Sequence, residues 1–208
     1  MSVATKPKFS NPFSAKRIVP GAMPFVRADR CPDTYLSELA TRFSRFKLGQ
    51  VVGPHGCGKT TLVKAIIERM GDVSARFIVV RNRKLIETIQ QSQDAAMQQV
   101  VVVDGLERIP LLHRVAFTRF AKSQKDRTRF IVTAHRKIFG WPLISELQPT
   151  FEQFSLVAGQ LIRTSGAGRS EVALDESVLR DAYTKADGNY RDAVMLLYDV
   201  VGAMSGIA

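Results

Sequence analysis

The sequence predicts an α/β fold in three layers, with a parallel sheet between two layers of helices and a small C-terminal helical lid. Short, unbroken apolar runs alternate with stretches of helical periodicity along the first 150 residues. This alternation favours parallel strands joined by crossover helices. Apolar runs without polar alternation are typical of strands that are covered on both faces. After residue 157 the pattern is helical only, which predicts the lid.

The predicted elements follow one another in a regular order, and each is assigned from apolar periodicity and from the glycines and prolines around it. Residues 151–157 fit either a fifth strand or the approach to the next helix. The other elements of the α/β part are a helix after Pro32, strand 48–53, helix 59–70, strand 77–80, a polar helix over 83–96, strand 99–104, a helix near 110–123 and strand 129–134.

Composition and charge divide the chain into three segments. Residues 1–20 are polar, basic and proline-bearing, which predicts a flexible arm. Residues 21–156 form the α/β domain and residues 157–208 the helical lid. The chain has a net charge of +11, yet residues 151–208 carry eight acidic and five basic side chains. This asymmetry indicates a polyanionic partner, either nucleic acid or a nucleotide triphosphate, although a solvated basic surface would give the same count.

Several classes of protein are excluded by composition. No stretch approaches the roughly 20 apolar residues of a membrane helix. The first 20 residues lack the apolar core of a secretory signal, so we expect a cytoplasmic location and no membrane contact. Cys31 and Cys57 are the two cysteines, too few for a disulfide framework or a metal cluster.

A glycine-rich stretch, GPHGCGKT at residues 53–60, lies between a predicted strand and a predicted helix. In that context the pattern predicts a phosphate-binding loop. Glycine lets the backbone curl so that its N–H groups face phosphate oxygens, and the helix N-terminus favours the same anion. Lys59 is predicted to reach the outer phosphates. The residues predicted to bind the nucleotide are Gly53, Pro54, His55, Gly56, Cys57, Gly58, Lys59, Thr60 and Thr61.

A run of four valines ends in Asp104, some forty residues after the loop. A carboxylate at the tip of a buried strand beside the loop can hold Mg²⁺ together with the hydroxyl of Thr60. The alternative is an ordinary turn, because Gly105 follows. We therefore predict ATP and Mg²⁺ as ligands, with Thr60 and Asp104 at the metal.

With both motifs in place, the chain resembles the AAA+ ATPases, and more narrowly the branch of origin-recognition-like and STAND proteins. Three further stretches match motifs of that branch in the expected order: MPFVRAD (23–29), RFIVTA (129–134) and GNYRDAV (188–194). The roles that this resemblance implies are adenine contact for Val26 and Arg27, the sensor-1 position for Thr133 or, alternatively, His135, and the sensor-2 position for Arg191.

Two departures from that family bear on hydrolysis. AAA+ engines usually place Glu directly after the Asp of the metal-binding strand, and that Glu polarises the attacking water; this chain has Gly105 there. Glu107 is the nearest carboxylate, and the glycine frees the backbone for it to turn back into the site. No arginine finger is marked by its context, and the candidates are Arg114, Arg119, Arg136 and Arg163.

We therefore predict Mg²⁺-dependent ATP binding and slow hydrolysis, which would drive lid motion and assembly or partner remodelling. The alternative is a non-hydrolysing, nucleotide-dependent switch or scaffold. A nucleotide kinase with the same loop fits less well, because it would carry an arginine-rich substrate lid. The residues predicted to be catalytic are Lys59, Asp104, Glu107, Thr133 and Arg191.

The expected partners are ATP and ADP, further copies of the chain, and an unknown protein. Basic side chains on the helix near 110–123 add a possible contact with DNA. Because no base-reading motif is visible, such a contact would be directed at the DNA backbone, and an ordinary charged helix is the alternative. The basic side chains concerned are Arg114, Arg119, Lys122 and Lys125, with Lys6, Lys8, Lys16 and Arg17 in the N-terminal arm.

Overall fold

The computed structural model describes residues 11–19, 25–71, 73–80, 85–90, 99–165 and 174–204. Within it the chain divides into two compact units. The α/β unit spans residues 29–148, and the helical unit combines residues up to 28 with those from 149 onward. The sequence predicted boundaries at 20/21 and 156/157 instead. The two units are described separately.

Five parallel strands form the sheet of the α/β unit, in the order β2-β3-β4-β1-β5. The predicted three-layer α/β fold with a parallel sheet is confirmed. Strand β4 lies between β1 and β3, so the strand before the glycine loop and the strand that ends in Asp104 are not neighbours. The strands are β1 (Leu48–Val52), β2 (Ser74–Val79), β3 (Gln99–Asp104), β4 (Thr128–Ala134) and β5 (Leu143–Glu146).

Helices cover both faces of the sheet. Alternate side chains of a strand point to opposite faces, and in β3 both sets are buried. Val101 and Val103 enter a core with α3 (Leu85–Gln90) and α4 (Leu111–Gln124), while Val100 and Val102 are also fully buried. Full burial of one such side chain stabilises a fold by about 1.5–3 kcal/mol. The valine run therefore places β3 inside the sheet.

The other two helices of this unit pack on each other and on the sheet. Helix α1 (Pro32–Phe46) begins with proline at its first position, where a missing N–H costs nothing. It ends at Lys47, whose φ of 58° reverses the chain directly into β1. Helix α2 (Lys59–Arg69) starts within the glycine loop.

Two elements differ from the sequence prediction. The fifth strand is β5, four residues long, which was not predicted because so short a run carries little periodicity. Residues 151–157 belong to helix α5 (Phe151–Thr164), so the strand interpretation of that segment is wrong. The hydroxyl of Thr150 accepts a hydrogen bond from the backbone N–H of Gln153 at 3.2 Å, which caps this helix at its start.

The helical unit contains α5, α6 (Glu176–Lys185) and α7 (Tyr190–Met204). These helices share a core that also takes in Phe13, which is fully buried. Arg17 donates to the carbonyls of Thr164 and Ser165 at 3.0 and 3.1 Å. The described part of the predicted arm, residues 11–19, thus contacts the helices, and residues 1–10 and 20 lie outside the described residues.

Among the described residues, no helix is both long enough and apolar enough to span a bilayer.

Candidate nucleotide-binding site

The glycine loop, residues 53–60, is shaped by backbone conformations that only glycine adopts readily. Gly56 and Gly58 have φ of 68° and 90°, and Gly58 caps the start of α2. Gly53 is required for a different reason. A Cβ built on it would lie 2.7 Å from the carbonyl oxygen of Leu147 and 2.8 Å from Sγ of Cys57. The loop is therefore packed against the chain that follows β5.

Lys59 lies at the centre of this loop. Its ammonium donates to the carbonyl oxygens of Gly53 at 2.8 Å and of Pro54 at 2.6 Å. The side chain is buried, with 9% of the residue exposed. The positive charge is thus held over the same curl of backbone that the N-terminus of α2 faces, which is an arrangement suited to anionic oxygens.

Cys57 stabilises the loop by packing. Its thiol donates to the carbonyl of Pro54 at 3.1 Å. Burial raises the pKa of this thiol, although the charge of Lys59 partly opposes the shift. Cys57 therefore stays protonated at neutral pH, which fits a structural role better than a nucleophilic one.

The polar ends of β3 and β4 meet beside this loop. Asp104 is in register with Thr133 on β4, and Thr133 is in register with Val51 on β1. The hydroxyl of Thr133 donates a hydrogen bond to Oδ1 of Asp104. The predicted site residues Asp104 and Thr133 are thus brought together, because β3 and β4 are paired side by side.

Glu107 follows on a short turn. Gly105 has a φ of 80° and begins a single 3₁₀ turn, Leu106–Arg108. This turn brings Oε1 of Glu107 to 3.4 Å from Nδ1 of His135. Its second oxygen, Oε2, is buried and has no hydrogen-bond partner within the described part of the chain. A buried carboxylate oxygen without a partner is costly and is typical of a functional site.

His135 connects this turn to the glycine loop. Its ring lies 3.8 Å, between centroids, from the ring of His55. Burial is the main cause that lowers the pKa of His135, and the charges of Lys59, His55 and Arg108 lower it further, while Glu107 raises it. The imidazole is therefore neutral at pH 7. The sequence offered no spacing signal for this pair of histidines.

The stretch that contains the glycine loop and the ends of β3 and β4 matches a known family. Over residues 50–137 the match is to the family described as "ATPase family associated with various cellular activities (AAA)". Residues 50–137 are an AAA domain. The predicted resemblance to the AAA+ P-loop ATPases is confirmed over this stretch. No curated protein matches the sequence.

Solved structures share the fold at low sequence identity. The Aeropyrum pernix Orc1 protein, in complex with DNA, is 14% identical with a TM-score of 0.65, over 92% of this chain and 64% of that one. A point variant of Thermotoga maritima RuvB is 17% identical with a TM-score of 0.57, over 85% and 64%. A Thermotoga maritima RuvB structure described as a Holliday junction branch migration motor is 15% identical with a TM-score of 0.56, over 85% of this chain and 64% of that one. The chain thus spans 64% of the length of each of these proteins.

Three further predicted site residues, Val26, Arg27 and Arg191, belong to the helical unit. Val26 accepts a hydrogen bond through its carbonyl from Gln153 at 2.6 Å, and Arg27 is half-buried. Arg191 lies in the first turn of α7 with an exposed side chain. Their assignment to the adenine and to the phosphates stays a prediction from the resemblance.

The AAA domain offers one strand-end carboxylate rather than a preformed metal cage. Within the described residues, no group of three or more His, Cys, Asp or Glu side chains is placed to hold a metal ion. Asp104 is at the tip of β3, and Thr60 is half-buried in the first turn of α2. Mg²⁺ suits such a sparse set, because it keeps several waters and takes further oxygens from phosphates.

Proposed function

We propose that this chain binds ATP with Mg²⁺ at the glycine loop and hydrolyses it slowly. The observation that carries the proposal is the buried oxygen of Glu107, which has no partner among the described residues and belongs to a turn that also contacts His135. An ATPase needs a carboxylate near the γ-phosphate, and the position at which the family supplies it holds Gly105.

The glycine loop supplies binding. Gly56 and Gly58 would let the backbone turn its N–H groups toward phosphate oxygens, and Gly53 allows the close approach of Leu147 and Cys57. Lys59 would exchange its contacts with the loop carbonyls for the outer phosphates. Hydrogen bonds from a charged donor contribute about 1.5–3 kcal/mol each, so this lysine is the largest single contributor to affinity that we propose.

Thr60 and Asp104 would hold Mg²⁺, which supplies charge neutralisation to the phosphates when bound. The Thr133 hydroxyl keeps the Asp104 carboxylate oriented through its hydrogen bond. That bond occupies Oδ1 and leaves the other carboxylate oxygen to face a metal or its water. Thr133 would thus act both as the polar sensor of the family and as a support for Asp104.

Glu107 would take the proton of the attacking water. The water oxygen bonds to the γ-phosphorus, the bond from that phosphorus to the β,γ-bridging oxygen breaks, and the products are ADP and inorganic phosphate. A neutral His135 that carries its proton on Nδ1 can donate to the carboxylate, so it would hold Glu107 in place without neutralising it. We propose a slow rate because this carboxylate comes from a turn rather than from a strand end.

The second candidate is a switch that binds ATP without turnover, and Gly105 is the observation that favours it. In both cases we propose that Arg191 has the sensor-2 role and that nucleotide state controls assembly or a partner. The similar Orc1 structure contains DNA, and the similar RuvB is a branch migration motor. Action on nucleic acid is therefore the context that we propose for this AAA domain.

Lys59→Ala tests the proposal. We expect ATP affinity in the presence of Mg²⁺, measured by isothermal titration calorimetry, to fall by at least about a hundredfold. Lys64→Ala is the matched control, since Lys64 is on the same helix but lies over the ring of Phe77 at 5.5 Å. Equal affinity of the two variants, or no binding by the wild type, would rule out the proposed site.

A further inference from the structure

One aromatic side chain of the α/β unit has no place in the nucleotide site. Phe139, in the connection between β4 and β5, is 99% exposed. Its neighbours in the same turn are not: Ile138 is half-buried and Trp141 is buried. A fully exposed phenylalanine contributes no apolar burial to the fold.

The turn that contains Phe139 is held in place by hydrogen bonds from the side chain of Gln50. The buried side chain of Gln50, on β1, accepts from the N–H of Ile138 at 2.8 Å and donates to the carbonyls of Ile138 and Trp141 at 3.0 and 2.6 Å. The φ of Gly140 is 84°, as the third residue of a type II turn requires. Because both sides of the turn are held, the backbone at Phe139 is fixed and its side chain projects into solvent.

Helix α4 lies next to this turn. The indole N–H of Trp141 donates to the hydroxyl of Thr118 at 2.9 Å. A Cβ built on Gly140 would lie 3.5 Å from Nζ of Lys122, which places that ammonium next to Gly140, the residue that follows Phe139. Residues spaced by four and seven along a helix share a face. The stripe that runs along α4 to the turn is Leu111, Val115, Thr118 and Lys122.

This face is apolar and basic. Leu111, Leu112 and Val115 are 64%, 81% and 42% exposed. Residues 111–125 and 135–142 contain no carboxylate. Lys137 is paired with Glu146 at 2.7 Å. Within the described ranges, the exposed basic side chains of α4 without an ion pair include Arg119 and Lys122. We call Phe139 and the exposed residues of α4 the turn–helix face.

We propose that the turn–helix face binds single-stranded nucleic acid, with a base stacked on Phe139 and phosphates beside Lys122 and Arg119. Aromatic side chains combined with basic ones are the means by which proteins hold single strands, because every base has an open π-face. In a duplex those faces are covered by neighbouring bases. A contact directed only at the backbone would need the lysines and arginines but would not need Phe139.

Phe139→Ala is the first test, with fluorescence anisotropy of a labelled oligothymidylate at low salt as the measurement. We expect affinity to fall about tenfold, the effect typical of removing one stacked base. Phe46→Ala is the matched control, since Phe46 is half exposed on α1 in the same unit, at 47%. That variant should bind like the wild type. Thermal melting checks that both variants are folded.

Lys122→Gln is the second test, with exposed Arg45→Gln on α1 as its control. Loss of one phosphate contact should lower the slope of log affinity against log salt by about 0.7 for a single strand. Binding to the oligonucleotide should survive Lys59→Ala. Failure of ATP binding and failure of this proposal can therefore be told apart.

Four outcomes would overturn the proposal. The first is no binding of oligothymidylate by the wild type at low salt. The second is an equal affinity of Phe139→Ala and Phe46→Ala. In the third, Phe139→Ala reduces self-association, measured by sedimentation velocity, while oligonucleotide binding is unchanged; the face would then be an interface between copies of this chain. Tighter binding of a duplex than of the single strand would also contradict it.

Discussion

The glycine loop and the ends of β3 and β4 contribute to the same candidate site by different physical means. In the loop the functional groups are backbone N–H groups, and their positions depend on glycine conformations and on the close approach of Gly53 to Leu147. At the strand ends they are side chains, and Glu107 reaches its position through Gly105 and His135. Nucleotide binding and hydrolysis should therefore be separable by mutation.

Glu107→Gln should separate nucleotide binding from hydrolysis most strongly. The amide keeps the size of the side chain but cannot accept the proton of water, so we expect phosphate release to fall by roughly 10²–10⁴-fold. ATP affinity should remain within about threefold of the wild type, because the loop is untouched. Phosphate release and calorimetry measure the two quantities. Equal turnover in the variant and the wild type would favour another base, and a wild type without turnover would favour the switch.

Gly53→Ala should weaken nucleotide binding, because it changes the glycine loop and leaves the strand-end side chains unchanged. The new methyl group meets a backbone carbonyl, so the loop must move, and such overpacking costs about 1–3 kcal/mol. We expect ATP to bind roughly tenfold more weakly in calorimetry. Gly71→Ala, strained in φ but with nothing within 4 Å of the added Cβ, is the control. An unchanged affinity of Gly53→Ala would show that the loop adapts.

Gly105→Ala should show how far the strand-end side chains depend on one backbone conformation. An L-residue at a φ of 80° is strained by about 1–2 kcal/mol, and its Cβ would also crowd the Arg108 side chain at 3.1 Å. We expect lower stability in chemical denaturation and lower turnover with ATP affinity kept. Gly71→Ala should lose similar stability without losing turnover. If both variants keep full turnover, the turn does not position Glu107.

The smallest expected effect is on the pH dependence of stability. The pKa of His135 is lowered in the folded protein, chiefly by burial. The unfolded chain therefore binds the proton first as the pH falls below about 6.5. The stability contributed by the neutral imidazole is present above that pH and is lost on acidification toward the folded pKa. His135→Gln should flatten the unfolding free energy in this window, and an unchanged profile would contradict the assignment.

Much of the fold was predictable from the chain because its signals are local. The valine run of β3 and the apolar stretch of β4 identify buried strands without reference to other segments. Strand β5 was missed, because its four residues are held by pairing with β1 rather than by their own pattern. The pattern of residues 151–157 fits a strand as well as a helix, and the cap at Thr150 marks this segment as the start of α5.

The residues of the candidate site likewise divide into those that local sequence identifies and those that only the tertiary structure brings together. Lys59 and the loop glycines were identified from eight consecutive residues. The contact of His55 with His135 could not be identified from the sequence, since the two rings meet only when β4 is placed beside β1. The freedom of Gly105 predicts that Glu107 turns into the site, whereas the sequence indicates its neighbour His135 only as an alternative to Thr133.

The sequence by itself determined the class of fold, the phosphate loop and the carboxylate at the tip of β3, because each depends on neighbours in the chain. Only the tertiary structure decided that β4 separates β1 from β3, that Thr133 binds Asp104, and that Phe139 is exposed in a turn that contacts α4. The physical reason is strand order. It brings together side chains that are distant in sequence, and no local preference of the backbone encodes that order.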